Sequence, residues 1–162
     1  TFMSPSKAFN MPGLTASHAL IFNPKLRRKF HAYLESCELD LGHVFAFLAI
    51  EAAYTHGTEW LDQCLAYIQG NIDYVDEFLK LHTPKIKAIR PQASFLVWLD
   101  CREMGLAQDA LNDFFVDKAH LALNNGVAFG EEGEGFMRLN VASPRSVLEQ
   151  AMKQLADAYV KL

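Results

Sequence analysis

Two residues carry the chemistry that can be read from this chain, and they stand near its opposite ends: Lys7 and Arg138. Lys7 lies in the stretch Ser4-Pro5-Ser6-Lys7-Ala8-Phe9-Asn10-Met11-Pro12-Gly13-Leu14. A lysine amine is a nucleophile only when neutral, so covalent chemistry needs surroundings that disfavour the ammonium. Ser4 and Ser6 place two small hydroxyls just ahead of it. Such groups bind phosphate oxygens while the amine meets a carbonyl, so a Ser-x-Ser-Lys loop suits a phosphorylated aldehyde. The same letters also read as an ordinary surface loop, and four residues do not separate the two. Ser4-x-x-Lys7 matches the nucleophile motif of serine acyl-enzymes as well. Those enzymes need Ser-Asp-Asn and Lys-Thr-Gly downstream, and neither occurs. Pro12-Gly13 also argues against a long helix starting at the serine.

Arg138 falls in the middle of Phe136-Met137-Arg138-Leu139-Asn140, which alternates as a strand does. If Phe136, Arg138 and Asn140 share a face, the guanidinium needs a carboxylate or phosphate partner, because its charge cannot be lost. The plainer reading is an edge-strand arginine with its head in water. No metal site is expected. The six histidines form no HExxH spacing, and Glu131, Glu132 and Glu134 do not follow an EF-hand loop.

The elements that must position these residues follow from capping and periodicity. Residues 1–3 end a strand that feeds the Lys7 loop, and His18–Phe22 reads as a short buried strand. Asn23-Pro24 starts a helix. A second helix runs from about Gly42 to Thr55, apolar nearly all round and so expected to be buried. Beyond Gly57, Leu61, Cys64, Leu65, Ile68, Ile72, Val75 and Leu79 mark one stripe along the longest helix, which ends before Thr83-Pro84. Ile86–Ile89 suits an edge strand, Ser94–Asp100 a buried strand, Ala107–Asp117 a short helix and His120–Leu123 another strand. Residues 130–135 form a loop, Phe136–Ala142 the strand of Arg138, and Ser143-Pro144 caps a final amphipathic helix.

The bulk properties are those of a folded chain. Of 162 residues, 51% are hydrophobic and 21% charged, with a net charge of -4. That composition excludes disorder. Lys25-Leu26-Arg27-Arg28-Lys29 is the densest basic run and reads as one solvated helix face, so no nucleic-acid partner is expected. No apolar run reaches the roughly 18 residues that span a bilayer, so no membrane partner is expected either. Cys37, Cys64 and Cys101 form no CxxC pair, which argues for a reducing compartment and a cytoplasmic location. The chain opens inside the Lys7 motif, so it is expected to be the C-terminal piece of a longer protein.

The Lys7 stretch resembles the cofactor-lysine segment of fold-type I enzymes that use pyridoxal 5'-phosphate (PLP), the aspartate aminotransferase superfamily. In detail it is similar to the branch of cystathionine β-lyases and other C–S lyases. Three further segments agree in order: Gly57–Leu61, Pro91–Asp100, and Gly130–Asn140, which carries Arg138. The resemblance implies an α/β fold of the PLP-dependent transferase type. Residues 1–62 would be the C-terminal part of the large domain. Residues 63–162 would be an α+β small domain entered by a long interdomain helix. It implies that Lys7 is the aldimine lysine and proton-transfer base, that Ser4 and Ser6 lie near the cofactor phosphate, and that Arg138 grips the substrate α-carboxylate. It further implies a homodimer acting on small amino acids.

The activity so implied is α,β-elimination of sulfur amino acids to pyruvate, ammonia and a thiol, with an aminotransferase as the alternative. A non-catalytic regulatory or binding module is a second alternative. One departure stands out: many aminotransferases of this superfamily have a phosphate-binding arginine where this chain has Thr15. The groups that stack on and bond the cofactor ring belong to sequence ahead of the lysine, so this chain alone is expected to be inactive.

Overall fold

A computed structural model describes residues 1–39 and 41–162. The chain divides into two compact units, Thr1–Cys64 and Leu65–Leu162.

The first unit opens with a two-stranded antiparallel ribbon, β1 (Phe2–Met3) against β2 (His18–Ala19), in which Met3 faces His18. The expected strand to Phe22 is thus only two residues long. Between these strands lies the Lys7 loop, closed by a 3-10 turn at Pro12–Leu14. Helix α1 (Pro24–Ser36) starts where its cap dictates: Asn23 Oδ1 accepts from the backbone N–H of Lys25 and Leu26 at 3.0 and 3.1 Å. Helix α2 (Val44–His56) ends at Gly57. A Cβ on Gly57 would meet the Ala53 carbonyl and come within 2.7 Å of the Phe9 ring. The absent side chain therefore lets the Lys7 loop close against the turn after α2.

The expectation that α2 is buried all round does not hold within this chain. Only Ala46 is buried, while Val44, Phe45, Phe47 and Leu48 are exposed. Apolar content leads to burial only where another element lies against it.

Helix α3 (Thr58–His82) begins in the first unit and runs into the second, ending before Pro84 as its stripe predicts. The second unit holds an antiparallel sheet in the order β3 (Lys87–Ile89), β4 (Leu96–Asp100), β6 (Phe136–Asn140), β5 (Asn124–Asn125). Val97, Leu99, Met137 and Leu139 point to one face and are buried. They pack with Ile72, Val75 and Leu79 of α3 and with Leu148, Met152 and Leu155 of α5 (Arg145–Tyr159). Helix α4 (Gln108–Asp113) continues as a wide π turn over Phe114–Lys118 and buries Phe114 and Phe115 in the same core.

The strand expected at His120–Leu123 is not there; the short β5 follows it instead. His120 adopts φ +55, outside the strand region, and the N–H groups of Ala119 and Leu121 bond back to Phe114 and Phe115 carbonyls. The wide turn thus consumes the Leu121 donor that a strand would need.

Candidate active site

The sequence-predicted residues fall into two groups, one in each unit. Ser4, Ser6 and Lys7 share one turn of the first unit. The turn is held by backbone bonds from Phe9 N–H to Pro5 carbonyl (2.9 Å) and from Met11 N–H to Ser6 carbonyl (3.0 Å). The two hydroxyl oxygens lie 2.8 Å apart. Ser4 Oγ donates to the Ala16 carbonyl at 2.7 Å, and the Ser6 backbone N–H donates to Ser4 Oγ at 3.2 Å. Lys7, the next residue, is exposed.

Two hydroxyls meeting at one point beside an exposed amine are groups of the kind that could hold a phosphate and meet an aldehyde. Both hydroxyls are rotors, so each can turn from the carbonyl to an incoming oxygen. Behind the turn stands an aromatic group. Phe9 meets Tyr54 edge-on at 5.6 Å and stacks near Trp60 at 6.4 Å, and Tyr54 meets His18 edge-on at 5.9 Å. Thr15 adopts φ +45, a costly left-handed conformation for a β-branched residue, as it closes the Pro12–Leu14 turn.

Arg138 belongs to the second unit, on the sheet face opposite the core. Phe136 and Arg138 alternate there with the buried Met137 and Leu139, as strand periodicity predicts. No carboxylate of the described residues forms an ion pair with Arg138. Arg138 Nη2 donates to Asn124 Oδ1 at 2.9 Å, and the guanidinium carbon lies 4.4 Å from the centroid of the Phe129 ring. Its Nε is buried and has no hydrogen-bond partner among the described residues. Arg90 and Arg102, by contrast, pair with Asp73 and Asp100. The Asp73 carboxyl is lowered first by its hydrogen bond from Arg90, and the Asp100 carboxyl first by that from Arg102.

The surroundings of Arg138 were not legible in the sequence. Asn124 is its register partner on β5, and Trp98 its register partner on β4. Phe129 comes from a 3-10 turn (Gly126–Phe129) that no periodicity announces. Gln108 ties this loop down. Its Nε2 donates to Asn125 Oδ1 at 2.6 Å, and its Oε1 accepts from Gly135 N–H at 2.6 Å. Gly126 and Gly133 pack backbone to backbone: a Cβ on Gly126 would meet the Gly133 carbonyl and lie 2.5 Å from the Phe136 carbonyl. A glycine pair around a loop was the one available signal. Among the described residues no cluster of His, Cys, Asp and Glu could hold a metal ion, and no helix is long and apolar enough to cross a membrane.

The model of the aminotransferase class I and II family matches residues 1–155, and the chain belongs to that family. It is 39% identical over 158 residues to the cystathionine beta-lyase PatB of Bacillus subtilis, covering 98% of this chain and 41% of that protein. It is 35% identical over 156 residues to the protein MalY of Escherichia coli, covering 96% of this chain and 40% of MalY. Cystalysin from Treponema denticola, whose crystal structure contains pyridoxal 5'-phosphate, superposes with a TM-score of 0.90 at 32% identity. That match covers 99% of this chain and 41% of cystalysin. The fold is therefore that of type I PLP-dependent enzymes over the part it spans. The chain spans about 40% of the length of the curated relatives it matches.

Proposed function

We propose that this chain serves a PLP-dependent C–S β-lyase, which converts sulfur amino acids to pyruvate, ammonia and a thiol. The observation that carries this reading is 39% identity to a cystathionine beta-lyase over 98% of the chain. Lys7 would hold the cofactor covalently, and the Ser4 and Ser6 hydroxyls would hold its phosphate. When bound, PLP supplies an electron-accepting ring that lets a Cα proton leave. Lys7 Nζ, once neutral, takes that proton and can return it. Arg138 grips the α-carboxylate through charge-assisted hydrogen bonds, which fixes the Cα–H bond for cleavage. Residues 1–62 would close the large cofactor-binding domain and residues 63–162 would form the small domain. The assembly would be a homodimer in the cytoplasm.

Aminotransfer is the second reading, favoured by the description of the family model. Both reactions begin with the same proton transfer, so Lys7 and Arg138 serve either. The PLP-loaded enzyme incubated with cystathionine separates them: release of pyruvate without added keto acid supports the lyase, and turnover only with a keto acid supports aminotransfer. Lys7→Ala should abolish either reaction, whereas a purely regulatory or binding role would survive it; a variant that still turned over substrate would remove Lys7 from the chemistry. The 162 residues alone are expected to turn over no cystathionine. Arg138→Ala removes bonds to a charged group worth about 1.5–3 kcal/mol, so KM for the amino acid should rise roughly 10- to 100-fold.

A further inference from the structure

Arg138 is seated in an unusual way for a sheet arginine. Phe129 lies under its guanidinium, and the Asn124 amide takes one of its N–H groups. Trp98 meets the Phe129 ring edge-on at 5.6 Å and stacks on Phe136 at 5.6 Å, so the platform is itself braced. The loop that presents Phe129 is tied by Gln108 and by the Gly126–Gly133 contact. Every one of these groups is uncharged. An aromatic face attracts a cation and fixes its plane without neutralising it, and an amide oxygen orients one N–H without adding charge. An aspartate in the place of Asn124 would do the opposite: it would pair with the guanidinium and compete with any incoming carboxylate.

We propose that Phe129 and Asn124 are positioning residues, which hold the plane of Arg138 while leaving its charge and the remaining N–H groups of its two Nη atoms free for the α-carboxylate of an amino acid. The inference rests on the reading of Arg138 as the carboxylate-binding residue. It extends that reading by assigning selectivity for carboxylates over uncharged analogues to residues that never touch the substrate.

The test uses the PLP-loaded enzyme and two ligands without a Cβ leaving group, L-alanine and L-alaninamide, with binding read from the cofactor absorbance. Phe129→Leu should weaken L-alanine binding roughly 3- to 10-fold. L-alaninamide binding should stay unchanged. In turnover, KM for cystathionine should rise with kcat unchanged. Phe129→Tyr, which keeps the ring, should restore wild-type binding. Asn124→Asp, at an exposed position, should weaken L-alanine binding by roughly tenfold or more through charge competition. Equal loss of both ligands in Phe129→Leu would mean a merely structural role and would overturn the proposal. So would wild-type L-alanine binding in Asn124→Asp. Arg138→Ala decides the underlying reading separately: if it leaves the preference for L-alanine over L-alaninamide intact, the carboxylate assignment fails, and the positioning role with it.

Discussion

Cys37 and Cys101 carry the same thiol and differ in fate. Cys101 is 2% exposed, and burial, with Asp100 nearby, pushes its thiol up to about 12. At neutral pH it holds no thiolate, and the thiolate is the reactive form. Cys37 is exposed. Brief alkylation of the native protein, read by mass spectrometry, should therefore modify Cys37 and leave Cys101 until the protein unfolds. Equal labelling of both would contradict this.

Asn71 shows a different kind of buried polar group. Its Nδ2 donates to the Val141 and Ser143 carbonyls at 2.8 and 3.0 Å, and its Oδ1 accepts from Arg145 Nε at 2.9 Å. The bonds tie α3 to the turn between β6 and α5 and to the first residue of α5. Asn71→Ala leaves these groups without partners and should cost about 1–3 kcal/mol of stability, measurable as a lower urea midpoint. The Asp100–Arg102 pair sets a pH dependence. Folding lowers the Asp100 pKa, so the stabilisation is present above the usual carboxylate value of about 3.9 and is lost as pH falls through the lower folded value. Asp100→Asn should therefore flatten the acid limb of stability below about pH 4, modestly because Arg102 is largely exposed. An unchanged acid limb would remove the pair from the account.

At the scale of elements, the sequence was legible where local chemistry decides. The Asn23-Pro24 start of α1, the end of α3 before Pro84, and the alternation of β4 and β6 follow from caps and periodicity, and the structure shows each. It was illegible where bonds that no periodicity announces decide. Residues 120–123 have a strand composition, yet the π turn before them captures the Leu121 N–H and His120 adopts φ +55. The Lys7 turn was readable because its residues are adjacent. The seat of Arg138 was not, because Gln108, Asn124 and Phe129 meet only through strand pairing and a loop.

Two glycines give opposite expectations. Gly70 lies inside α3, and a Cβ there would meet nothing closer than Arg145 Nη2 at 3.4 Å. Gly70→Ala should stabilise by about 0.5–1 kcal/mol, because alanine loses less freedom in a helix. Gly126→Ala should destabilise by about 1–3 kcal/mol, because its Cβ would strike backbone rather than a flexible side chain. Thermal denaturation of the pair measures both signs, and a shared sign would show that one environment is misread.

At the scale of the whole chain, α2 is the feature that needs a partner. Phe45 and Phe47 are 65% and 60% exposed, beside Val44 and Leu48. A contiguous apolar surface of this kind drives association. The isolated 162-residue polypeptide should therefore self-associate as concentration rises, and Phe45→Lys with Phe47→Lys should return it to a monomer in sedimentation. A monomer at all concentrations would show that the exposed face is not adhesive. Helix α3 carries a further consequence. Its buried residues, Asn71, Ile72, Val75, Asp76 and Leu79, all lie in the part that belongs to the second unit, and none lies between Thr58 and Cys64. One unbroken helix thus has two exchange regimes. In heavy water its leading amides should take up deuterium early, those beyond Asn71 late, and the helix would record along its own length where cooperative unfolding begins.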